Sequence, residues 1–118
     1  IVSTEAVFRF LAPHLRPKRL ILLTQVEGVY TADPRRQERL PVVIPEITPG
    51  NWEEIQTALG GSHGADVTGG MRNKVGEMLA LTQAVPGLEI RIASGMRSGL
   101  LEQLLLDRAR GAGTVIHA

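Results

Sequence analysis

Apolar side chains recur along the chain with two kinds of spacing, and these predict alternating helices and strands. Apolar residues three or four positions apart follow Ser3 and again follow Met71, which is typical of helices with one buried face. A short apolar run at 19–24 and a stretch of alternating apolar and polar residues at 88–93 have the length and pattern of strands. The predicted elements, in order, are a helix from Ser3 that ends or bends near Pro13, a strand at 19–24, an extended segment at 40–47, a helix at 52–59, a helix at 71–85, a strand at 88–93, a helix at 100–110 and a strand at 114–117.

Strands that alternate with helices predict a layered α/β fold with a mainly parallel open sheet. The run from Arg19 to Thr24 shows no alternation of polar and apolar residues, as expected for a strand that helices cover on both faces. Three strong strand candidates are few for such a sheet, and the sequence starts at a helix cap without a methionine. We therefore expect the chain to be a piece of a larger α/β domain.

Composition excludes several classes of function. The 118 residues carry 13 basic and 12 acidic side chains, so a strongly basic nucleic-acid binder is not expected. The absence of cysteine excludes a disulfide scaffold, a thiolate nucleophile and a cysteine metal site, and the three histidines lack metal-ligand spacing. No apolar stretch approaches the ~20 residues of a membrane span and no leader is visible, so a soluble cytoplasmic protein is expected.

A glycine-rich stretch at 60–70 is the first candidate for a chemical site. We expect a flexible loop before the next helix, with the N–H groups of Gly69 and Gly70 open to an anion, usually phosphate. Lys74 lies about one turn into that helix and can reach back to the same anion. Lysine occurs otherwise only at Lys18, against eleven arginines, which favours a specific role. A phosphate site with one mobile positive charge suits phosphoryl transfer, whereas the alternative is an ordinary helix start with a solvated lysine.

The loop at 24–34 is the second candidate, because ligands of open α/β sheets sit beyond the carboxyl ends of strands. Val29 and Tyr30 could flank a flat ring, and Asp33 could accept a hydrogen bond from a ribose hydroxyl or an amino group. The alternative is a tight turn closed by Asp33 and Pro34, with Tyr30 half-buried.

Three stretches in this order, LTQVEGVYTADP, LGGSHGADVTGGMRNKV and a terminal GTVI, resemble the C-terminal half of the amino acid kinase family. Within that family, ADVTGGMRNKV is similar to the DVTGGM-x-x-K helix start of isopentenyl phosphate kinases. The resemblance implies a three-layer α/β/α sandwich, of which residues 1–118 would be the C-terminal, nucleotide-binding half. The family's N-terminal half, which holds the acceptor, is not in this sequence, so this chain alone is expected to be inactive.

The resemblance also assigns roles to individual residues. Lys74 matches the lysine that stabilises the transferred phosphoryl group. Glu5, which by itself reads as a partner of the helix dipole, takes the place of an acid that orients the catalytic lysines, with one methylene more. Ser3 stands where the family has the serine of a substrate-side motif. The residues matched to the phosphates, base and adenosine-side loop of the nucleotide are Thr24, Gly28, Val29, Tyr30, Asp33, Pro34, Gly69, Gly70 and Met71, besides Lys74.

The function implied by the resemblance is that of an ATP-dependent kinase, with Mg²⁺ bound alongside the nucleotide and no tightly held metal of its own. The acceptor is expected to be a small phosphorylated molecule, first of all isopentenyl phosphate, whose diphosphate is an isoprenoid precursor. Sister kinases that act on glutamate, acetylglutamate, fosfomycin or a nucleoside monophosphate are alternatives, and so is a noncatalytic nucleotide-binding module. The resemblance also leads us to expect a homodimer.

Overall fold

The computed structural model describes residues 3–30, 42–60 and 66–118, except for the side chains of 58–60 and 66–69. Within these residues helices and strands alternate much as the sequence predicts. The elements are α1 (Thr4–Leu15), β1 (Arg19–Thr24), β2 (Glu46–Ile47), α2 (Pro49–Gly60), α3 (Asp66–Ala84), β3 (Glu89–Ser94), α4 (Leu100–Leu105) and β4 (Thr114–Ile116).

The described strands form one open sheet in the order β1-β3-β4-β2. β1 and β3 are parallel and pair along their whole length, from Arg19 opposite Glu89 to Thr24 opposite Ser94. β2 and β4 are also parallel, whereas β3 and β4 are antiparallel. The prediction of an α/β fold with a mainly parallel open sheet is confirmed, and each strand lies within one residue of a predicted extended segment.

Helices lie on both faces of the sheet and create one core on each. α3 packs between α1 and α2 on one face, while α4 covers part of the other. Each fully buried apolar side chain contributes about 1.5–3 kcal/mol, so the heavily buried face of α3 anchors the helix layer. The main core includes Val75, Met78, Leu79, Ile90, Ile92 and Ile116, and the smaller core consists of Ala93, Leu100 and Leu104.

α3 begins at Asp66, five residues before the predicted start at Met71, and α2 extends to Gly60. The predicted loop at 60–70 is therefore wrong from position 66 onward, because Gly69 and Gly70 lie inside the helix, while residues 61–65 of that prediction lie outside the described residues. Glycine costs a helix about 1 kcal/mol relative to alanine, but the packing of the remainder of α3 outweighs that cost. Although α3 has 19 residues, no helix in the described part of the chain is both long and apolar enough to cross a membrane.

The ends of α1 and α4 are fixed by hydrogen bonds at their caps. Ser3 caps α1 as predicted, since its Oγ accepts a hydrogen bond from the Ala6 N–H at 3.1 Å. α4 stops at Leu105 rather than at the predicted position 110. The Arg19 guanidinium donates to the carbonyls of Leu104 and Leu105 at 3.0 and 3.2 Å, which satisfies the end of the helix.

Candidate active site

The N-termini of α1 and α3 lie at the end of the sheet where β1 and β3 have their carboxyl ends. Only three residues join α1 to β1 and four join α3 to β3, so each helix must run back along the strand that follows it. In open α/β sheets this is the end where ligands bind. It brings the start of both helices close to the loops that follow Thr24 and Ser94.

Lys74 and Glu5 meet at this end of the sheet. The Lys74 Nζ lies 3.1 Å from Oε1 of Glu5, and the side chains are 29% and 13% exposed, respectively. Glu5 stands in the first turn of α1 and Lys74 in the third turn of α3, so the packing of the two helices creates the contact. The structure thus brings together the two residues that the sequence analysis matched to catalytic roles.

The Lys74 ammonium can bind more than one anionic group. An ammonium has three donors, and the contact of Lys74 seen in the described part of the chain is the ion pair with one oxygen of Glu5. A second ion pair between the same helices, Arg9 with Glu77 at 3.6 Å, is far more exposed, at 57% and 42%. The Glu5–Lys74 pair is therefore the better shielded of these two contacts, and shielding strengthens the interaction of an ammonium with a phosphate.

The predicted opening of the Gly70 amide has to be corrected, whereas Gly69 lies in the first turn of α3. Because α3 begins at Asp66, the free N–H groups of the helix belong to its first turn, ahead of Gly70. Nothing lies within 4 Å of the position that a Cβ would take at Gly70, so the backbone is open to contact there. Met71 is half-buried and packs against the main core.

The loop after β1 starts with a tight turn, which is held by the Thr24 hydroxyl and by a hydrogen bond from the residue that follows β3. Thr24 Oγ1 donates to the Val26 carbonyl at 2.8 Å and accepts from the Val26 N–H at 3.2 Å. The Thr24 carbonyl accepts from the Gly95 N–H at 2.8 Å. Arg97, in the loop after β3, reaches across to Glu27 at 3.3 Å. The two loops at this end of the sheet are thus linked to each other.

The sequence expectations for Val29 and Tyr30 are met only in part. The Val29 side chain is completely buried, so the expected contact between this side chain and a ring is not supported. Tyr30 is half-buried, as the alternative of a tight turn expects, and it forms an isolated bridge with Val43. Asp33 and Pro34 lie outside the described residues.

Thr114 is a buried residue of this region that sequence reasoning missed. It opens β4 and its hydroxyl contacts the loop at Val29. The GTVI tail includes this residue, but no spacing rule gives a buried threonine a role. The only signal in the sequence is the glycine immediately before it, which marks a close approach of two backbone segments.

Other clusters of charged residues in the described part of the chain have partners of their own. A cavity of about 500 Å³ lies between the sheet and α4, near the opposite ends of β1 and β3. Its Arg91 donates to the Arg110 carbonyl at 2.9 Å, and its His117 pairs with Glu46. Within the described residues no three acidic or histidine side chains cluster as a metal site would require.

Comparison with known proteins identifies the family. The sequence pattern of the amino acid kinase family matches residues 1–94. An isopentenyl phosphate kinase of Methanothermobacter thermautotrophicus is 34% identical over 114 residues, which cover 94% of this chain and 40% of that enzyme. A glutamate 5-kinase of Xanthomonas axonopodis pv. citri is 36% identical over 101 residues, or 84% of this chain and 26% of that enzyme. The chain therefore spans well under half the length of these relatives.

Solved structures agree with the sequence matches. The X-ray structures of an isopentenyl phosphate kinase superpose with a TM-score of 0.69 at 28% identity, over 98% of this chain and 37% of that one. A carbamate kinase from Giardia lamblia, solved with AMP-PNP bound, gives a TM-score of 0.63 at 25% identity, over 98% of this chain and 35% of the other. By its sequence pattern and by its fold, this chain belongs to the amino acid kinase family.

Proposed function

We propose that this chain is the C-terminal, nucleotide-binding half of a small-molecule kinase. The observation that carries the proposal is the shielded Glu5–Lys74 pair at the ligand-binding end of the sheet. A lysine held there by an acid offers a fixed positive charge to the terminal phosphate of ATP. The solved carbamate kinase that resembles this chain was bound to AMP-PNP, which supports a nucleotide as the ligand of this half.

Lys74 acts in this proposal by neutralising charge. During phosphoryl transfer, negative charge spreads over the oxygens of the transferred group, and an ammonium held beside them stabilises that state. Glu5 positions the ammonium through the 3.1 Å contact. No covalent bond to the protein forms, because the donor and acceptor oxygens only need to be held in line.

The metal ion of the proposed reaction is Mg²⁺ that arrives with the nucleotide. Mg²⁺ is commonly bound through one or two carboxylates and the phosphates of the substrate, so it needs no cluster of three acids. When bound, it would supply further neutralisation of the phosphate charge. Lys74 and the polar groups of the loop after Thr24 are the parts of this chain that fit a triphosphate.

For the acceptor we propose isopentenyl phosphate, which would be converted to isopentenyl diphosphate. The match to an isopentenyl phosphate kinase over 94% of this chain supports this choice, as does the sequence GGMRNK at 69–74. Glutamate is the second candidate, because several glutamate 5-kinases match 78–84% of the chain. An assay of a complete kinase domain with both acceptors distinguishes the two by the ratio of their kcat/KM values. The homodimer expected from the resemblance stays a prediction.

Substitution of Lys74 tests the proposed role directly. In the 118-residue chain, Lys74→Ala is expected to weaken ATP binding about tenfold and ADP binding less than twofold, because the contact is made to the terminal phosphate. Lys18→Ala is the matched control, since Lys18 is the other lysine of the chain, is exposed and precedes the opposite end of β1. Isothermal titration calorimetry measures both affinities.

The same substitution can be followed through the reaction. In a complete kinase domain that contains this segment, Lys74→Ala is expected to lower kcat by about 10²-fold or more. Turnover that stays within about tenfold of the wild type, or about 1.4 kcal/mol, would show that Lys74 does not stabilise the transferred group.

A further inference from the structure

The hydroxyl of Thr114 joins three segments of the chain at one buried point. Thr114 Oγ1 accepts a hydrogen bond from the Val29 N–H at 2.9 Å and donates one to the Ile44 carbonyl at 2.6 Å. Thr114 itself is completely buried at the start of β4. The loop after β1, the segment that leads to β2, and β4 are therefore tied together by one side chain.

Two glycines make room for this arrangement. A Cβ at Gly28 would lie 2.8 Å from Thr114 Oγ1 and 2.9 Å from a methyl of Val43, so only glycine allows the loop to approach the hydroxyl. At Gly113 the φ angle is +73°, and a Cβ would lie 2.1 Å from the Ile92 carbonyl oxygen. The glycine before Thr114 thus lets β4 start close against β3, which sets the position of the hydroxyl.

The two groups that are hydrogen-bonded to the Thr114 hydroxyl are backbone groups, and no other hydrogen-bond partner of either is visible among the described residues. The Val29 N–H and the Ile44 carbonyl point towards Thr114, and Val29 is completely buried. The Ile44 N–H donates in turn to the Val29 carbonyl at 2.7 Å, so the two segments are also bonded directly. Loss of the hydroxyl would leave a buried donor and a partly buried acceptor unpaired, which displaces the loop rather than a side chain.

We propose that Thr114 is a positioning residue for the nucleotide loop, here residues 24–30, and thereby sets the affinity for ATP. The inference rests on the proposed function, because it takes that loop to be the one that holds the nucleotide. Thr114 does not touch the ligand, since it is completely buried. Its hydroxyl fixes the backbone at Val29, and the loop then presents its polar groups in one arrangement.

Four variants of the chain test the proposal. Thr114→Val keeps the shape and removes the hydroxyl, and Thr114→Ser keeps the hydroxyl and removes a methyl. Thr114→Cys removes the same methyl as Thr114→Ser and replaces the hydroxyl by a thiol, which is a weak hydrogen-bonding group. Thr82→Val is the matched control, because Thr82 is equally buried but its hydroxyl only donates to the Leu79 carbonyl at 2.6 Å within α3. Calorimetry with ATP gives the affinity, and hydrogen exchange followed by NMR gives the protection of the Val29 amide.

The expected results differ between the variants. Thr114→Val removes both hydrogen bonds of the hydroxyl and is expected to weaken ATP binding about tenfold and to make the Val29 amide exchange faster. Thr114→Ser stays within about twofold of the wild type in affinity, and Thr114→Cys behaves like Thr114→Val. Thr82→Val changes neither the affinity nor the exchange at Val29. If Thr114→Val does not fold, the comparison of Thr114→Cys with Thr114→Ser replaces it.

Several outcomes would overturn the inference. Equal ATP affinity of the wild type and of both hydroxyl-free variants would do so while leaving the proposed function intact. A Thr114→Ser variant that binds as poorly as Thr114→Cys would also do so, because the hydroxyl would then not be the cause. A wild-type chain that binds no ATP contradicts the proposed function itself, and the inference falls with it.

Discussion

At the scale of single residues, Lys74 and Glu5 form a charged pair that is largely withdrawn from solvent. A carboxylate that is 13% exposed next to an ammonium that is 29% exposed loses much of its hydration, and the contact at 3.1 Å compensates for that loss. Such a pair fixes the orientation of the lysine side chain, whereas an unpaired lysine samples many orientations. The same arrangement makes each of the two residues costly to replace alone.

A double-mutant cycle measures how much the interaction between Glu5 and Lys74 contributes to the free energy of unfolding. With Glu5→Gln and Lys74→Met, we expect a coupling of about 1 kcal/mol in the free energy of unfolding, because the pair is partly buried. The matched control is Arg9 with Glu77, which joins the same two helices but is more exposed. For that pair we expect about 0.3 kcal/mol. Equal couplings, measured by urea unfolding, would mean that the burial of the Glu5–Lys74 pair has no energetic effect.

Lys74 and Glu5 are predictable from the sequence by different routes. Lys74 stands out in the sequence because lysine is rare in this chain and because it follows a glycine-rich helix start. Glu5 lies 69 positions earlier, and only the family resemblance pairs the two. Their contact depends on how α1 packs against α3, and no local pattern contains that information. Thr114 was missed for the same reason, since its partners Val29 and Ile44 are 85 and 70 positions away.

At the scale of elements, strands were easier to predict than the ends of helices. The continuous apolar run at 19–24 and the alternating run at 88–93 predict β1 and β3, because burial on a sheet imposes a regular pattern of apolar residues. The start of α3 and the end of α4 instead depend on contacts made elsewhere in the fold. Packing of α3 outweighs the cost in helix stability of Gly69 and Gly70. The guanidinium of Arg19, which belongs to β1, binds the carbonyl of Leu104 at the end of α4.

Glycine at position 70 is expected to lower the free energy of unfolding and to favour the binding of ATP. Gly70→Ala should raise the free energy of unfolding by about 0.5–1 kcal/mol, because alanine is the better helix former and the space around the position is open. The same methyl should lower the affinity for ATP if the backbone there approaches the phosphates. Thermal unfolding and calorimetry measure the two effects.

Gly76→Ala is the matched control for that experiment. Gly76 also lies in α3, and a Cβ there would make an ordinary contact with Trp52 at 3.6 Å. We expect a similar gain in stability without a change in affinity for ATP. Unchanged affinity in the Gly70→Ala variant as well would place the phosphates away from this turn.

At the scale of the whole molecule, the two ends of the sheet differ in the charged pairs that they carry. One end carries the Glu5–Lys74 pair and the linked loops, whereas the other carries self-contained ion pairs such as His117 with Glu46. The relatives are more than twice as long as this chain. Their additional length fits the proposal that this half holds the nucleotide and that the acceptor is held elsewhere.

Stability at the second end should depend on pH through His117. The hydrogen bond with Glu46 is the main cause that raises the pKa of His117 above its usual value of 6.5, and the Ala118 carbonyl adds to it. A raised pKa in the folded state means that this stabilisation is complete below pH 6.5 and is lost as pH rises through the folded pKa. We therefore expect the free energy of unfolding to fall from pH 6 towards pH 8, by less than about 1 kcal/mol for so exposed a pair.

His117→Gln and Glu46→Gln provide the controls for this pH dependence. Each removes one partner of the same pair, so both should flatten the change in the free energy of unfolding over this range. Urea unfolding at a series of pH values measures it. A slope that persists in both variants would assign the pH dependence to other groups.

The assignment of Lys74 predicts where the terminal phosphate of a bound nucleotide lies. A crystal structure of the chain with a nonhydrolysable ATP analogue and Mg²⁺ should show an oxygen of that phosphate about 3 Å from the Lys74 Nζ, with Glu5 still in contact with the ammonium. A triphosphate bound away from the starts of α1 and α3 would contradict the assignment of Lys74 and the function built on it.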